Sequence, residues 1–232
     1  MASYCDPGSQ LELPFLSPTG LENRVVEIEG RPSFKYFGRA SFSELHAHTM
    51  GLKRTEISCL SLQGTVGAGK SHLLAALACL MVSNGHRVVF VADCSPLMKT
   101  PISCLKEALC LAFGDDSEIL GSISQVKTAD DLTELCYKLA EKSSAYFIFD
   151  QFEAVDIVFP PQRTAPVDET QSRSSTRELL ERITKGHLVI VCSSAADFTT
   201  PDPQALQLFV HCGLTKVRCF SHSQRSTKPI MN

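Results

Sequence analysis

Between Ile57 and Met81 the chain reads ISCLSLQGTVGAGKSHLLAALACLM: an apolar run breaks into glycines, presents one lysine, and resumes as an apolar stripe of different period. Gly64 to Ser71 fit the spacing GxxxxGK[ST]. Glycines lack a Cβ, so the backbone can wrap closely and turn successive N–H groups inward, and a helix starting at the same point adds partial positive charge. Lys70 supplies a point charge for the outer phosphates of a nucleotide and Ser71 a hydroxyl for Mg²⁺. Gly64, Thr65, Val66, Gly67, Ala68, Gly69, Lys70, Ser71 and His72 are therefore the candidate nucleotide-binding segment.

Such a cradle needs a carboxylate at the end of another buried strand, reaching the metal from across the sheet. Asp150, which closes the apolar run AYFIF, is the candidate, and it makes Ser71 and Asp150 the expected metal ligands. Gln151 follows directly and Glu153 comes two residues later. Gln can orient a water but accepts its proton poorly, whereas Glu can act as a base.

These residues need strands and helices to hold them. Ile57 to Gln63 reads as a strand, and Leu73, Leu74, Leu77, Leu80 and Met81 form one stripe of an amphipathic helix from Lys70, ended by Asn84 and Gly85 in a left-handed cap. RVVFVA (87–92), AYFIF (145–149) and LVIVC (188–192) are continuous apolar runs, as in strands buried on both faces of a parallel sheet, and 206–210 is a weaker fifth. Thr100 with Pro101 opens a helix to Phe113. Thr128 with Asp131 and Ser175 with Glu178 place helix starts near 129 and 176. Phe42, Leu45, Ala47 and Met50 suggest a short helix before the first strand. The alternation predicts an α/β three-layer sandwich with a mainly parallel five-stranded sheet and right-handed crossovers.

The 232 residues suit one such domain, expected over 33–212, after an irregular arm of Pro, Gly and Ser (1–32) and before a basic, disordered tail (213–232). Residues 159–174 read as a mobile polar loop. A net charge of -3 gives no global attraction to nucleic acid or anionic lipid, leaving only the tail's Lys216, Arg218, Arg225 and Lys228 as a weak basic patch. No run of apolar residues is long enough to span a membrane, and the amino terminus has no signal-peptide pattern, so the expected location is intracellular, cytoplasmic or nuclear. The ten cysteines are scattered without CxxC and read as reduced thiols. His46 and His48, two apart on a helix, point in different directions and do not form a metal site.

A metal carboxylate after the third strand and polar residues after the fourth resemble the additional-strand division of P-loop ATPases, which includes the AAA+ and STAND proteins. YFGRASFSELHA (36–47) is similar to the Gly-Arg segment before the loop in those families, which implies that Gly38 and Arg39, beside Phe37, lie near an adenine. GTVGAGKSHLLAALACLM, RVVFVADC, FDQFEAVD and LFVHCGLTK resemble the P-loop ATPase module of Crinkler-type proteins of fungi and oomycetes, over about two thirds of the chain. The resemblance implies ATP and Mg²⁺ as ligands, Ser193 or Ser194 as a sensor of the γ-phosphate, and catalytic roles for Lys70, Asp150, Gln151 and Glu153. Many hydrolytic relatives carry Glu where this chain has Gln151, and the helical lid usual after the fifth strand is missing. No secretion signal or Leu-Phe-Leu-Ala-Lys entry motif occurs.

The expected function is ATP binding with Mg-dependent hydrolysis. A nucleotide-gated switch that does not hydrolyse is the alternative, and a small-molecule kinase ranks below both because arginines after the carboxylate strand are few and dispersed. A guanine reader is disfavoured: no NKxD occurs, and the asparagines are Asn23, Asn84 and Asn232. A second copy of the chain or a protein partner could complete the site; Arg173 and Arg177 read first as a solvated loop and helix face, and a neighbour's copies of them are the alternative.

Overall fold

The computed structural model describes residues 1–20, 25–53, 58–64, 67–155, 167–193, 207–212 and 215–221. A short helix α1 (Ala2–Cys5) and strands β1 (Gln10–Pro14), β2 (Val26–Ile28) and β3 (Arg31–Phe37) open the chain, followed by α2 (Ser41–Met50). Then come β4 (Ser58–Gly64), α3 (Lys70–Ser83), β5 (Val88–Val91), α4 (Pro101–Ala112), α5 (Ser117–Gln125), α6 (Ala129–Lys142), β6 (Tyr146–Phe149), α7 (Val167–Ile183), β7 (Leu188–Ser193), β8 (Gln207–Cys212) and β9 (Thr215–Ser221).

The larger sheet runs β5-β6-β7-β4-β9-β8. Its first four strands are parallel, so the molecule is an α/β protein built on a four-stranded parallel core. Successive side chains of a strand face opposite ways, and both faces are apolar. Val88 and Phe90 join Tyr146 and Ile148 in the core with α3, while Val89 and Val91 join Phe147 and Phe149 in the core with α4, α6 and α7. Helices therefore cover both faces.

Local signals act where they are read. Thr128 and Asp131 make a capping box at the start of α6. At the end of α3, His86 N–H donates to Met81 C=O and Gly85 N–H to Val82 C=O around a left-handed Gly85, a Schellman motif. Thr100 and Pro101 open α4.

Several expectations are corrected. The sheet has six strands: the fifth expected strand, β8, stands at the edge, and β9 enters antiparallel between it and β4. Part of the tail is thus a strand, because β4 offers an open edge at which its backbone can pair; residues 222–232 lie outside the described residues. The described part of the arm, 1–20 and 25–32, is structured too. β1 and β2 flank β3 in an antiparallel sheet, with Leu13 opposite Phe34 and Leu11 opposite Tyr36. Helix α7 begins at Val167, nine residues before the Ser175 and Glu178 signal places it at 176, so 167–174 is helical; 159–166 lies outside the described residues. Helix α5, capped by Asp116 accepting from Ile119 N–H at 3.0 Å, was not foreseen.

The small sheet changes the character of α3. Phe34 and Tyr36 are fully buried in the core that contains α3, and Ala75, Ala76, Ala78 and Cys79 are buried along with the leucine stripe. The helix is enclosed between two sheets and is not amphipathic, and its small residues let the second sheet approach. Cys79 Sγ donates to Pro14 C=O at 3.0 Å on that side.

Candidate phosphate-binding site

The glycine segment leaves the end of β4 and enters α3. Gly67 and Gly69 adopt φ of 82° and 77°, the left-handed region that residues with a Cβ avoid. Nothing stands within 4 Å of where a Cβ on Gly67 would lie, so the need for glycine there is conformational. Gly69 is the N-cap of α3 and, having no side chain, caps nothing. The first N–H groups of a helix have no partner within it, so the start of α3 offers donors and a positive dipole end to an anion. Thr65 and Val66 lie outside the described residues.

Lys70, the first residue of α3, is 5% exposed. Ser71 and His72 are half-buried. The His72 ring packs edge-on against Phe34, its centroid 6.1 Å away, so the second sheet also braces the helix start.

Asp150 follows β6 at the same edge and is 2% exposed. Its Oδ1 accepts the Gln151 N–H at 2.9 Å, and its Oδ2 is buried with no hydrogen-bond partner among the described residues. Burial pushes this carboxyl above the usual carboxylate range, with Glu153 adding to the rise. The Ser71 hydroxyl, the Gln151 N–H and the Cys192 thiol pull the other way. Ser71 and Cys192 thus lie beside the carboxyl without meeting Oδ2 in hydrogen-bonding geometry.

Cys192, buried in β7, extends the cluster. Burial raises its thiol pKa, the charges of Asp150 and Glu153 raise it further, and Lys70 opposes them. The structure therefore brings Lys70, Ser71, Asp150 and Glu153 within electrostatic reach of one strand end. Ser193, 6% exposed, follows Cys192 and stands in register with Gln63 of β4; Ser194 lies outside the described residues.

Gln151 holds φ of 54°, a left-handed conformation that costs a residue with a side chain about 1 kcal/mol or more. Its Nε2 donates to the Ala92 C=O beyond β5 at 3.4 Å. Glu153 lies on the following turn, Phe152–Ala154, half-buried.

Arg39 comes to the loop itself, whereas Gly38 lies against the amino-terminal turn at Ser3 and Asp6. Arg39 Nη1 donates to the Ala68 C=O at 2.6 Å, and a Cβ on Gly69 would run into the same guanidinium. Sequence reasoning missed Cys192, for which one thiol in an apolar run gives no signal. It also missed Ser17 and Thr19, whose hydroxyls pin the end of β5: Ser17 Oγ accepts the Ala92 N–H at 3.0 Å and Thr19 Oγ1 donates to the Asp93 C=O at 3.2 Å.

These features describe an α/β protein with a glycine-containing strand-to-helix turn and a buried carboxylate at one edge of its parallel strands. No family model matches the chain, and no curated protein is significantly similar to it.

Proposed function

We propose that this protein is a P-loop ATPase module that binds Mg·ATP at Gly64–His72 and hydrolyses it. The observation that carries the reading is Asp150 Oδ2, a buried carboxylate oxygen with no hydrogen-bond partner among the described residues, beside the hydroxyl that follows the loop lysine. A buried unpartnered charge is costly, and a cation shared with Ser71 would relieve that cost. Among the described residues no group of three or more His, Cys, Asp or Glu side chains could hold a metal ion, so these two ligands would fill only part of a coordination shell. That fits Mg²⁺, which takes one or two protein ligands and completes its shell with phosphate oxygens and water. When bound, Mg²⁺ would neutralise charge on the outer phosphates.

The chain's own residues supply the rest. The amides of 67–71 and the ammonium of Lys70 receive the phosphates, and Ser71 and Asp150 fix the register of the terminal one. Glu153 takes the proton of the attacking water as its oxygen bonds to the γ-phosphorus and the bond to the β–γ bridging oxygen breaks. Strand β7 lies between the loop strand β4 and the carboxylate strand β6, an order that supports the additional-strand reading. The preference for adenine over guanine follows from that resemblance and from the absent NKxD.

One observation favours a second reading. Gln151 takes the place of the usual base and its side chain is directed to Ala92 C=O, an arrangement suited to a nucleotide-gated switch. Calorimetric titration with Mg·ATP, alongside phosphate release, tests both. Lys70→Ala should abolish binding, and wild-type binding by that variant overturns the proposal. Tight binding by the wild type with no phosphate release at any protein concentration leaves the switch.

A further inference from the structure

Arg39 braces the loop from a position 29 residues away in sequence. Its guanidinium bonds the Ala68 carbonyl and covers the α-carbon of Gly69, so it engages two successive residues of the loop. In a trans peptide the C=O and the following N–H point in opposite directions. Pinning the Ala68 C=O on the guanidinium therefore turns the Gly69 N–H to the side away from Arg39, and a rotation of this peptide would reverse a donor of the cradle.

Arg39 is itself held. Its N–H donates to the Tyr4 C=O at 2.9 Å and the Gly38 N–H to the Ser9 C=O at 3.0 Å. The Tyr36 hydroxyl reaches the Tyr4 C=O at 3.2 Å, and the Tyr4 ring stacks on Phe42 with centroids 4.9 Å apart. A Cβ on Gly38 would collide with the Asp6 carbonyl and come within 2.7 Å of the Ser3 oxygen. Gly38 is not left-handed, so its need for glycine is the close approach of this amino-terminal turn.

We infer that Arg39 is a positioning residue that fixes the Ala68–Gly69 peptide in its phosphate-receiving orientation, and that the amino-terminal residues 3–9 hold it in place. The inference rests on the loop being a phosphate site, and it assigns Arg39 to the loop where the family resemblance implies an adenine contact.

The test titrates the 232-residue wild type, Arg39→Ala, Arg39→Lys, Gly38→Ala and Lys70→Ala with Mg·ATP and, separately, with magnesium pyrophosphate, which has no adenine. Arg39→Ala should weaken both ligands by the same factor, about tenfold or more for one charge-assisted hydrogen bond. Arg39→Lys, still able to donate to one carbonyl, should recover part of the loss. Gly38→Ala keeps Arg39 but displaces residues 3–6, and should weaken both ligands too. A loss of ATP affinity in Arg39→Ala with pyrophosphate unchanged would place Arg39 at the base and overturn the inference. Wild-type affinities in Arg39→Ala and Gly38→Ala, with binding abolished in Lys70→Ala, would overturn it while leaving the phosphate site standing. If Lys70→Ala binds as wild type does, the phosphate site fails and the inference with it.

Discussion

Asp150 and Ser71 lie side by side across a strand that carries neither of them. Ser71 is the second residue of the helix after β4 and Asp150 directly follows β6, yet β7 lies between those strands and the hydroxyl still stands beside the carboxyl. Parallel strands in register place their carboxyl ends along one edge, which is where open α/β sheets bind ligands. The local result is a carboxylate whose Oδ2 is buried with no hydrogen-bond partner among the described residues.

The stability consequence has a definite sign. Burial raises the Asp150 pKa, so the protonated form is favoured in the folded state. Its contribution to stability is present at low pH and is lost as pH rises through the raised folded value. Asp150→Asn should therefore stabilise the ligand-free protein at neutral pH, by about 1 kcal/mol or more, because a neutral amide costs less to bury than an ionised carboxylate, and the gap should close towards acid. Urea unfolding of both proteins between acid and neutral pH checks this. A variant less stable than wild type at neutral pH refutes it.

Adding Mg·ATP should reverse that ranking. Wild type gains stability from ligand binding, whereas the Asn variant, with one metal ligand weakened, should gain less at every nucleotide concentration. Thermal shifts with and without Mg·ATP provide the measurement.

Turnover should depend on Glu153. Glu153→Gln should lower phosphate release about 10²-fold or more, the usual worth of a positioned base, with Mg·ATP affinity unchanged. Gln151→Glu should raise it if the residue after Asp150 can reach the water. Unchanged rates in both variants would remove these residues from the reaction.

The enclosure of α3 makes a prediction about the fold. On an amphipathic α3, Cys79 would face solvent, and a change there would cost within about 0.5 kcal/mol. Because Cys79 is buried against β1, Cys79→Lys should cost at least about 3 kcal/mol, as a buried unpaired charge does. Denaturant unfolding distinguishes the two values.

The strand-to-helix junction and Asp150 were legible because their signals are local. A period changes across glycines, and a carboxylate ends a four-residue apolar strand. Enclosure of α3 was not legible. β1 and β2 are five and three residues long, punctuated by Pro, Gly and Ser; both become strands by pairing with β3, and β1 also packs on α3. The bond from Arg39 to Ala68 joins residues with no periodic relation, and the resemblance directed attention to an adenine instead. β9 was read as tail because a short strand with Lys216 and Arg218 looks solvated until β4 supplies its partner.

A crystal structure with Mg²⁺ and a non-hydrolysable ATP analogue tests the central claim most directly. The phosphates should lie against the backbone of 67–71, with Lys70 on the outer phosphates and the cation held by Ser71 and Asp150. An analogue bound elsewhere, or a glycine turn left empty at saturating ligand, would contradict the account.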